Sequence, residues 1–264
     1  MSGRTNPNVS DRPKNLATHY IKWNGNNGNF SFYDNENKVD VILPDDFTFI
    51  VLDELHCIAG FSDEHQCGIY SNEIRNIKND ILTAKYFKGF QVIEEGLYKN
   101  IRDKVTSKSV GGKYCKSVYV AFKLSKDKDL IIGNIKLTGS GLGGDFEFLE
   151  IVGSSLYTGA VKLNGSKSEK KGSNNYFVPI FKLIPLSQES DIEAGHLQND
   201  LKDYFVKYFD YINKERQSPS SSETNHVNLS AEELEHERQI IDNNEKAMED
   251  ELHMPNDNPD DLPF

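Results

Sequence analysis

Short stretches of alternating apolar and polar residues, separated by turn residues, run through the first two thirds of the chain. Such alternation predicts β-strands, with one face buried and the other solvated. Asn and Gly residues at 24–28 predict a tight hairpin between the first two strands, and Pro179 places the last strand at a sheet edge or a bulge. The predicted strands are residues 18–23, 29–33, 39–43, 47–55, 66–70, 82–90, 113–124, 130–137, 157–163 and 176–184.

Two segments have helical rather than alternating spacing. Apolar residues recur every four positions over 93–105, which predicts a helix inserted between strands. A second helix is predicted over 191–214, with one apolar face that packs against the β-rich body. Its inward residues are Leu197, Leu201, Phe205, Tyr208 and Ile212. Ser230 and Glu233 match a helix-capping pattern, which predicts a short third helix over 230–252.

These elements predict a mainly β fold, an elaborated OB-fold-like Greek-key barrel with one inserted helix and a C-terminal helix. A β-sandwich is the alternative, because the chain has more predicted strands than a five-stranded barrel needs. The predicted organisation is a flexible arm over 1–16, the barrel over 17–188, a helix packed on it over 189–216, and a linker with a disordered acidic tail over 217–264.

The charge of the chain is concentrated at its C-terminal end. The formal net charge is −11, and residues 217–264 contain 13 acidic and 2 basic residues. Subtracting these from the 41 acidic and 30 basic residues of the whole chain leaves 28 of each in residues 1–216. The body is therefore neutral and the tail carries the imbalance, which is typical of an interaction tail on a folded domain, although some acidic tails only increase solubility.

The composition and the first residues of the chain indicate its cellular compartment. The three cysteines are too few, and odd in number, for a disulfide framework. No apolar run is long enough to span a membrane, and the polar start has no apolar core of a secretory signal. These features predict a cytoplasmic protein.

The last five residues have a specific chemistry. A terminal Phe ring beside its own carboxylate, with two aspartates before it, suits a small basic pocket with an apolar floor on a partner protein. The predicted partner-binding residues are Asp260, Asp261, Leu262, Pro263 and Phe264. This ending resembles the C-terminal tip of bacterial single-stranded DNA-binding proteins.

The body resembles instead the phage-type single-stranded DNA-binding proteins, in which a barrel, a helix and an acidic tail follow one another. Residues 139–146 and 175–179 are similar in character to these phage sequences. The resemblance implies a non-catalytic protein without a cofactor, in the host cytoplasm if the protein is phage-encoded. It implies binding of single-stranded DNA in replication, recombination and repair, and a tail that competes with DNA and recruits polymerase, helicase or primase, recombinase or nuclease partners. A homodimer is compatible with it.

Strand faces give an independent indication of DNA binding. Sequence-independent binding of single strands needs aromatic rings that stack on bases and cations that neutralise phosphates, on one surface. Three predicted strands alternate so that Tyr and Phe share a face with Lys, and residues 99–136 contain ten basic residues against three aspartates. An ordinary solvated sheet face is the alternative. The predicted DNA-binding residues are Tyr20, Lys22, Lys85, Tyr86, Phe87, Lys88, Lys113, Tyr119 and Lys123.

Two patterns typical of enzymes or metal sites are also present. Gly139, Gly141 and Gly144 match a dinucleotide-binding pattern, but the β-rich surroundings favour a loop or bulge, and no acidic residue follows at the required spacing. His56-Cys57 and His65 with Cys67 have irregular spacing for zinc. Strand alternation points His65 and Cys67 to one side but the adjacent His56 and Cys57 to opposite sides. We therefore predict no catalytic and no metal site. The alternative function is a protein-interaction or virion-associated module that uses its acidic tail without DNA.

Overall fold

The computed structural model describes residues 12–125 and 127–217. The predicted residues 1–11 of the N-terminal arm, the predicted helix over 230–252 and the tip formed by Asp260, Asp261, Leu262, Pro263 and Phe264 lie outside the described residues.

The described residues form a mainly β body, as predicted. They contain three α-helices, one more than the inserted helix and the C-terminal helix predicted for this part of the chain. Short 3₁₀ turns occupy Lys88–Phe90 and Gly153–Thr158. The strands are β1 (His19–Asn24), β2 (Asn29–Asp34), β3 (Val39–Ile42), β4 (Thr48–Ser62), β5 (Cys67–Ser71), β6 (Ile81–Tyr86), β7 (Val92–Leu97), β8 (Gly112–Phe122), β9 (Ile131–Leu137), β10 (Ala160–Lys171) and β11 (Asn174–Ile184). The helices are α1 (Tyr98–Val105), α2 (Gly139–Val152) and α3 (Gln188–Gln217). None of the helices in the described ranges is both long and apolar enough to cross a membrane.

The strands form one sheet that curls around an apolar interior. Its order is β3-β2-β1-β9-β8-β4-β5-β6-β7, and β10 joins it by pairing with both β4 and β11. Of these pairings only β1 with β9 is parallel in the described part of the chain. Phe177 of β11 donates its N–H to the Gly25 carbonyl (2.7 Å), and the Trp23 indole donates to the Phe177 carbonyl (3.0 Å). These bonds connect β11 back to the end of β1.

Two apolar layers cover the two faces of the central strands β4, β8 and β9. On the inner face, side chains such as Phe30, Phe122 and Ile135 pack with α2 and the β10–β11 hairpin. On the opposite face, which we name the helix-side face, α3 packs over the sheet. Since β8 lies between both layers, nearly all of it is buried.

Helix α3 confirms the predicted C-terminal helix and its packing on the body. Leu201, Phe205 and Tyr208 are buried against the sheet, and Leu197 and Ile212 pack at the margin of the same cluster. The N-terminal arm contributes to this layer, because Leu16 and Ala17 belong to it. The prediction for Pro179 is also confirmed, since β11 pairs only with β10 among the described strands and the register shifts beside that proline.

The helix predicted over 93–105 is wrong in its first half. Residues up to Leu97 form β7, which pairs with β6, and α1 begins only at Tyr98. A spacing of four residues is also a multiple of the two-residue period of a strand, so Ile93 and Leu97 fit both structures. Gly96, a poor helix former, lies in this strand segment.

The loop or bulge predicted over 139–144 is wrong as well, because α2 begins there. The glycines allow close packing: a Cβ on Gly141 would lie 3.0 Å from the Trp23 Cβ, and one on Gly144 would overlap the Pro179 carbonyl oxygen. Strands β9 and β10 lie antiparallel and therefore do not form the parallel unit of a dinucleotide site, since β9 runs parallel to β4 and β10 opposite to it. Close packing explains the glycines without a nucleotide.

We expect Gly144→Ala to lower the free energy of unfolding by about 1–3 kcal/mol, because the new methyl group meets Pro179 at the contact between α2 and β11. Gly143→Ala is the matched control in the same helix. A Cβ at Gly143 meets nothing within 4 Å, and alanine favours a helix by about 1 kcal/mol over glycine. Urea denaturation measures both variants, and equal stabilities would contradict the packing role.

Candidate functional site

Most of the predicted DNA-binding side chains come to one face of the sheet. Directly opposed residues on neighbouring strands share a face. Tyr20 is opposite Asn134, which is opposite Tyr119. Lys113 lies near the start of β8, an even number of residues before Tyr119, and therefore points to the same face. It is opposite Ala59 of β4. These side chains therefore lie on the helix-side face, as the alternation predicted.

Helix α3 covers the middle of this face and removes Tyr119 from the candidate set. The Tyr119 side chain is completely buried, and its ring packs edge-on against Phe205 with 5.0 Å between centroids. Its hydroxyl donates a hydrogen bond to Glu73 Oε2 at 2.8 Å. Alternation identifies the face of a residue but not what covers that face, so the prediction that Tyr119 stacks on a base is corrected.

Tyr86 is also removed, because it lies on the opposite face. With Leu82 and Ala84 it points into the inner core, and the His65 ring stacks on it at 4.0 Å. The predicted strand extended to residue 90, but β6 ends at Tyr86 and a 3₁₀ turn follows. Lys88 lies exposed in this turn.

A row of cations and aromatic rings remains on the helix-side face beyond the end of α3. Lys113 is opposite Ala59, Ala59 is opposite Tyr70, and Tyr70 is opposite Lys85. Phe87 continues this face, and its ring centroid lies 5.8 Å from that of Tyr70. We name Lys113, Tyr70, Lys85 and Phe87, which are all partly exposed, the cation–aromatic row.

Tyr70 of this row was missed by the sequence prediction. Its strand carries no cation on the same face, since only Gly68 precedes it there, so alternation gave no signal. The row forms only because β5 pairs with β6 and brings Tyr70 opposite Lys85. The lysines Lys113 and Lys85 are three strand spacings apart, or about 14 Å, with the tyrosine between them.

The remaining predicted residues lie at other places. Lys22 is on the helix-side face of β1, in parallel register with Lys136. Tyr20, on the same face of β1, is close to Lys136 and half-buried, and burial raises the pKa of its hydroxyl. Lys123 is exposed just after β8. Ten residues of extended strand, or about 33 Å, separate it from Lys113, so the structure does not bring these two together.

A buried polar network lies between the sheet and α3. The Lys136 ammonium is 2.6 Å from Glu73 Oε1, and Ser117 donates to the same oxygen at 2.5 Å. The Tyr208 hydroxyl of α3 accepts the Glu73 N–H at 2.7 Å. Burial alone raises the pKa of the Glu73 carboxyl, but Lys136 and the hydroxyl donors outweigh this effect and hold the pKa below its ordinary value. The network therefore keeps two opposite charges paired under the helix.

A second buried ion pair lies toward the inner side of the sheet. The Lys116 ammonium contacts Asp145 Oδ2 at 2.7 Å and Glu54 Oε1 at 2.5 Å. Lys116 and Lys136 both belong to the segment that the sequence identified as locally basic. Carboxylates distant in sequence neutralise them, so this segment is less basic at the surface than its composition indicates.

The histidines and cysteines of the irregular zinc pattern are separated by the sheet. His56 Nδ1 is 2.6 Å from the Tyr114 hydroxyl, whereas Cys57 is opposite Cys115 on β8. Cys67 is buried in the inner core. The described ranges contain no group of three or more His, Cys, Asp or Glu side chains that could hold a metal ion.

Comparison of the chain with protein-family models, with curated proteins and with solved structures finds no match. The geometry of the helix-side face is therefore interpreted on its chemistry alone.

Glu73→Gln is expected to lower the free energy of unfolding by about 1.5–3 kcal/mol at neutral pH, because it leaves the partly buried Lys136 ammonium without its charged partner. The pKa of Glu73 is lowered by folding, so its contribution is complete above the ordinary value of 4.5 and is lost as the pH falls through the folded-state pKa. The difference between variant and wild type should therefore shrink in acid.

Urea denaturation across a pH series measures this difference. Glu94→Gln is the control, since Glu94 pairs with Lys104 at the surface and its loss should change stability little. A Glu73→Gln protein as stable as the control variant at neutral pH would show that the buried network does not stabilise the fold.

Proposed function

We propose that this protein binds and protects single-stranded DNA in replication, recombination and repair, without catalysis, and recruits partner proteins through its acidic C-terminal tip. The cation–aromatic row is the observation that carries the proposal. Its ammonium groups can neutralise phosphates and its rings can stack on bases of any sequence. Neither a lysine row nor aromatic rings alone would combine these two properties.

The fold supports the proposal through the order of its strands. We propose that β4, β8, β9, β10 and β11 are the five strands of an OB-fold-like barrel, with α2 between the third and fourth. In such barrels, the face of the second and third strands binds oligonucleotides together with the first and last hairpin loops. The row then belongs to the second strand, β8, and to the segment inserted between β4 and β8.

The hairpin between β10 and β11 would be the last of these loops. It extends beyond its short pairing with β4, which involves only Val161 and Lys162. Lys170 and Lys171 are exposed near its turn. Their charge would add a second contact for the phosphate backbone, and it makes the affinity dependent on salt.

The place where α3 ends is the third support. Helix α3 ends beside the cation–aromatic row, with the Glu215 carboxylate 3.8 Å from the Lys85 ammonium. Arg216 donates a hydrogen bond to the Ile81 carbonyl of the same strand, β6. The acidic segment follows α3 in the sequence, so we propose that it competes with DNA for the row by charge attraction that salt screens. DNA binding would then release the tip, Asp260 to Phe264, for polymerase, helicase, primase, recombinase or nuclease partners.

Fluorescence anisotropy of a labelled oligo(dT) of roughly 30 nucleotides tests the proposal directly. We expect saturable binding by the full chain that weakens as salt is added. An unchanged anisotropy at low salt, with both the full chain and a variant ending at Arg216, would overturn DNA binding and favour a module that binds only proteins.

Substitutions in the cation–aromatic row should weaken this binding. For Lys85→Gln/Lys113→Gln, we expect the slope of log affinity against log salt to fall by about 1.4, because two phosphate contacts are lost. Phe87→Ala should weaken binding by about 1–3 kcal/mol through lost stacking, or roughly 5–150-fold. Lys128→Gln and Tyr157→Ala alter exposed residues elsewhere and are the matched controls. Equal losses in controls and row variants would argue against the row as the binding surface.

Removing residues 217–264 should strengthen DNA binding at low salt, because 13 acidic residues no longer compete for the row. The gain should decline as salt rises, since screening weakens the tail before it affects stacking. Anisotropy titrations of the two lengths at matched salt measure the gain. If the truncated and full chains bind equally at low salt, the tail does not compete with DNA.

A further inference from the structure

Cys57 and Cys115 face each other across the central strands β4 and β8. They are direct partners in the register of β4 and β8, so their side chains lie on the same face. Both thiols are buried. The proposed DNA-binding function uses neither of them.

The backbone geometry of this pair permits a disulfide. His56 exchanges both main-chain hydrogen bonds with Ile74 on one side of β4, at 2.8 and 2.9 Å. Main-chain groups of the next residue, Cys57, therefore point toward β8, which makes Cys57 and Cys115 a hydrogen-bonded pair. The Cα atoms of such a pair are about 5.5 Å apart, within the range of about 4.4–6.8 Å that disulfides require. Its Cβ atoms, at about 5–5.5 Å, are farther apart than the roughly 3.5–4.5 Å of an unstrained disulfide. The bond therefore needs a small shift of the two strands, and the strain makes it easy to reduce again.

A cation beside the pair favours thiol chemistry. The Lys136 ammonium lies 3.6 Å from Cys57 Sγ, and a nearby positive charge stabilises a thiolate over a thiol. Cys57 has a lowered pKa, to which the hydrogen bond from Cys115, the largest effect, and Lys136 contribute, whereas the pKa of Cys115 is raised. The Lys136 side chain is 28 % exposed, so a small solute that reaches it comes next to Cys57.

We propose that Cys57 and Cys115 form a reversible redox pair that a small hydroperoxide converts to an intrachain disulfide. The Cys57 thiol ionises, its thiolate attacks one peroxide oxygen, and the O–O bond breaks. Cys57 becomes a sulfenic acid, and the other oxygen takes up the proton that the thiol released and leaves as water or an alcohol. The Cys115 sulfur then attacks Cys57, the S–S bond forms, and the sulfenic oxygen leaves as water with the Cys115 proton. Two thiols are oxidised and one peroxide is reduced.

The disulfide would join β4 to β8 on the helix-side face, next to the Glu73–Lys136 pair. Cys67 provides a built-in comparison, because it is equally buried but lies in the inner core on the other face of the sheet. The pairing of Cys57 with Cys115, and the exclusion of Cys67, therefore follow from the strand register and not from accessibility.

The test treats the reduced, folded full chain with hydrogen peroxide, alkylates the remaining thiols under denaturing conditions, and maps peptides by mass spectrometry. We expect two of the three cysteines to lose alkylation, with a Cys57–Cys115 peptide lighter by two hydrogen atoms and restored by dithiothreitol. Cys67→Ala should behave like wild type, and Cys57→Ala and Cys115→Ala should form no intrachain link.

The wild-type peptide map decides the question even if a variant folds poorly. Peroxide treatment in urea should give a mixture of pairings that includes Cys67, because the strand register is then lost. Three alkylated cysteines after treatment of the folded chain, a bond to Cys67, or a bond only between chains would each overturn the proposal. These results are independent of whether the protein binds DNA.

Discussion

The burial of β8 on both faces is the constraint on which the rest of the structure depends. A strand covered on one side by the inner core and on the other by α3 must pair every polar side chain that it carries. Two ion pairs meet this requirement from opposite sides: Lys116 is held by Asp145 and Glu54, and Ser117 joins the Glu73–Lys136 pair. Each pair joins segments distant in the sequence, since Glu73 lies in the loop before β6 and Asp145 in α2. The buried lysines of the sheet therefore depend on these two segments for their charged partners.

Helix α3 determines which part of the helix-side face is exposed. Its Phe205 and Tyr208 close the polar network at the centre of the helix-side face, and Arg75 holds the helix from the side, with its guanidinium 5.1 Å from the Phe205 ring and bidentate on Asp53. The same helix ends beside Lys85. The open part of the face is therefore what α3 leaves uncovered, and the last turn of α3 lies at its border.

Local periodicity predicted most of the strands and the helix α3, but not β7, not α2 and not what covers each face of the sheet. The β1–β2 hairpin follows from its Asn and Gly turn, and the inward face of α3 follows from a long helical stripe. Tyr119 shows where this reasoning ends, because alternation assigned its face correctly while a helix some 85 residues later in the chain determines its burial. The helix predicted over 93–105 was wrong in its first half for a different reason. A spacing of four residues fits both the helical period and the two-residue period of a strand. At 139–144 the glycines serve contacts with Trp23 and Pro179, which no local pattern contains.

The electrostatics of the body also depend on tertiary structure more than on composition. A count of charges makes residues 1–216 neutral and their middle basic, yet the ammonium groups of Lys116 and Lys136 are paired inside. The positive charge that a ligand meets at the row comes from lysines that neighbouring strands bring together, such as Lys85 and Lys113. Because Glu215 already lies 3.8 Å from Lys85, even this charge is partly balanced by the chain itself. In the proposed function, attraction for a polyanion at this face would be a local effect of these lysines, because the net charge of the whole chain, −11, would repel a polyanion.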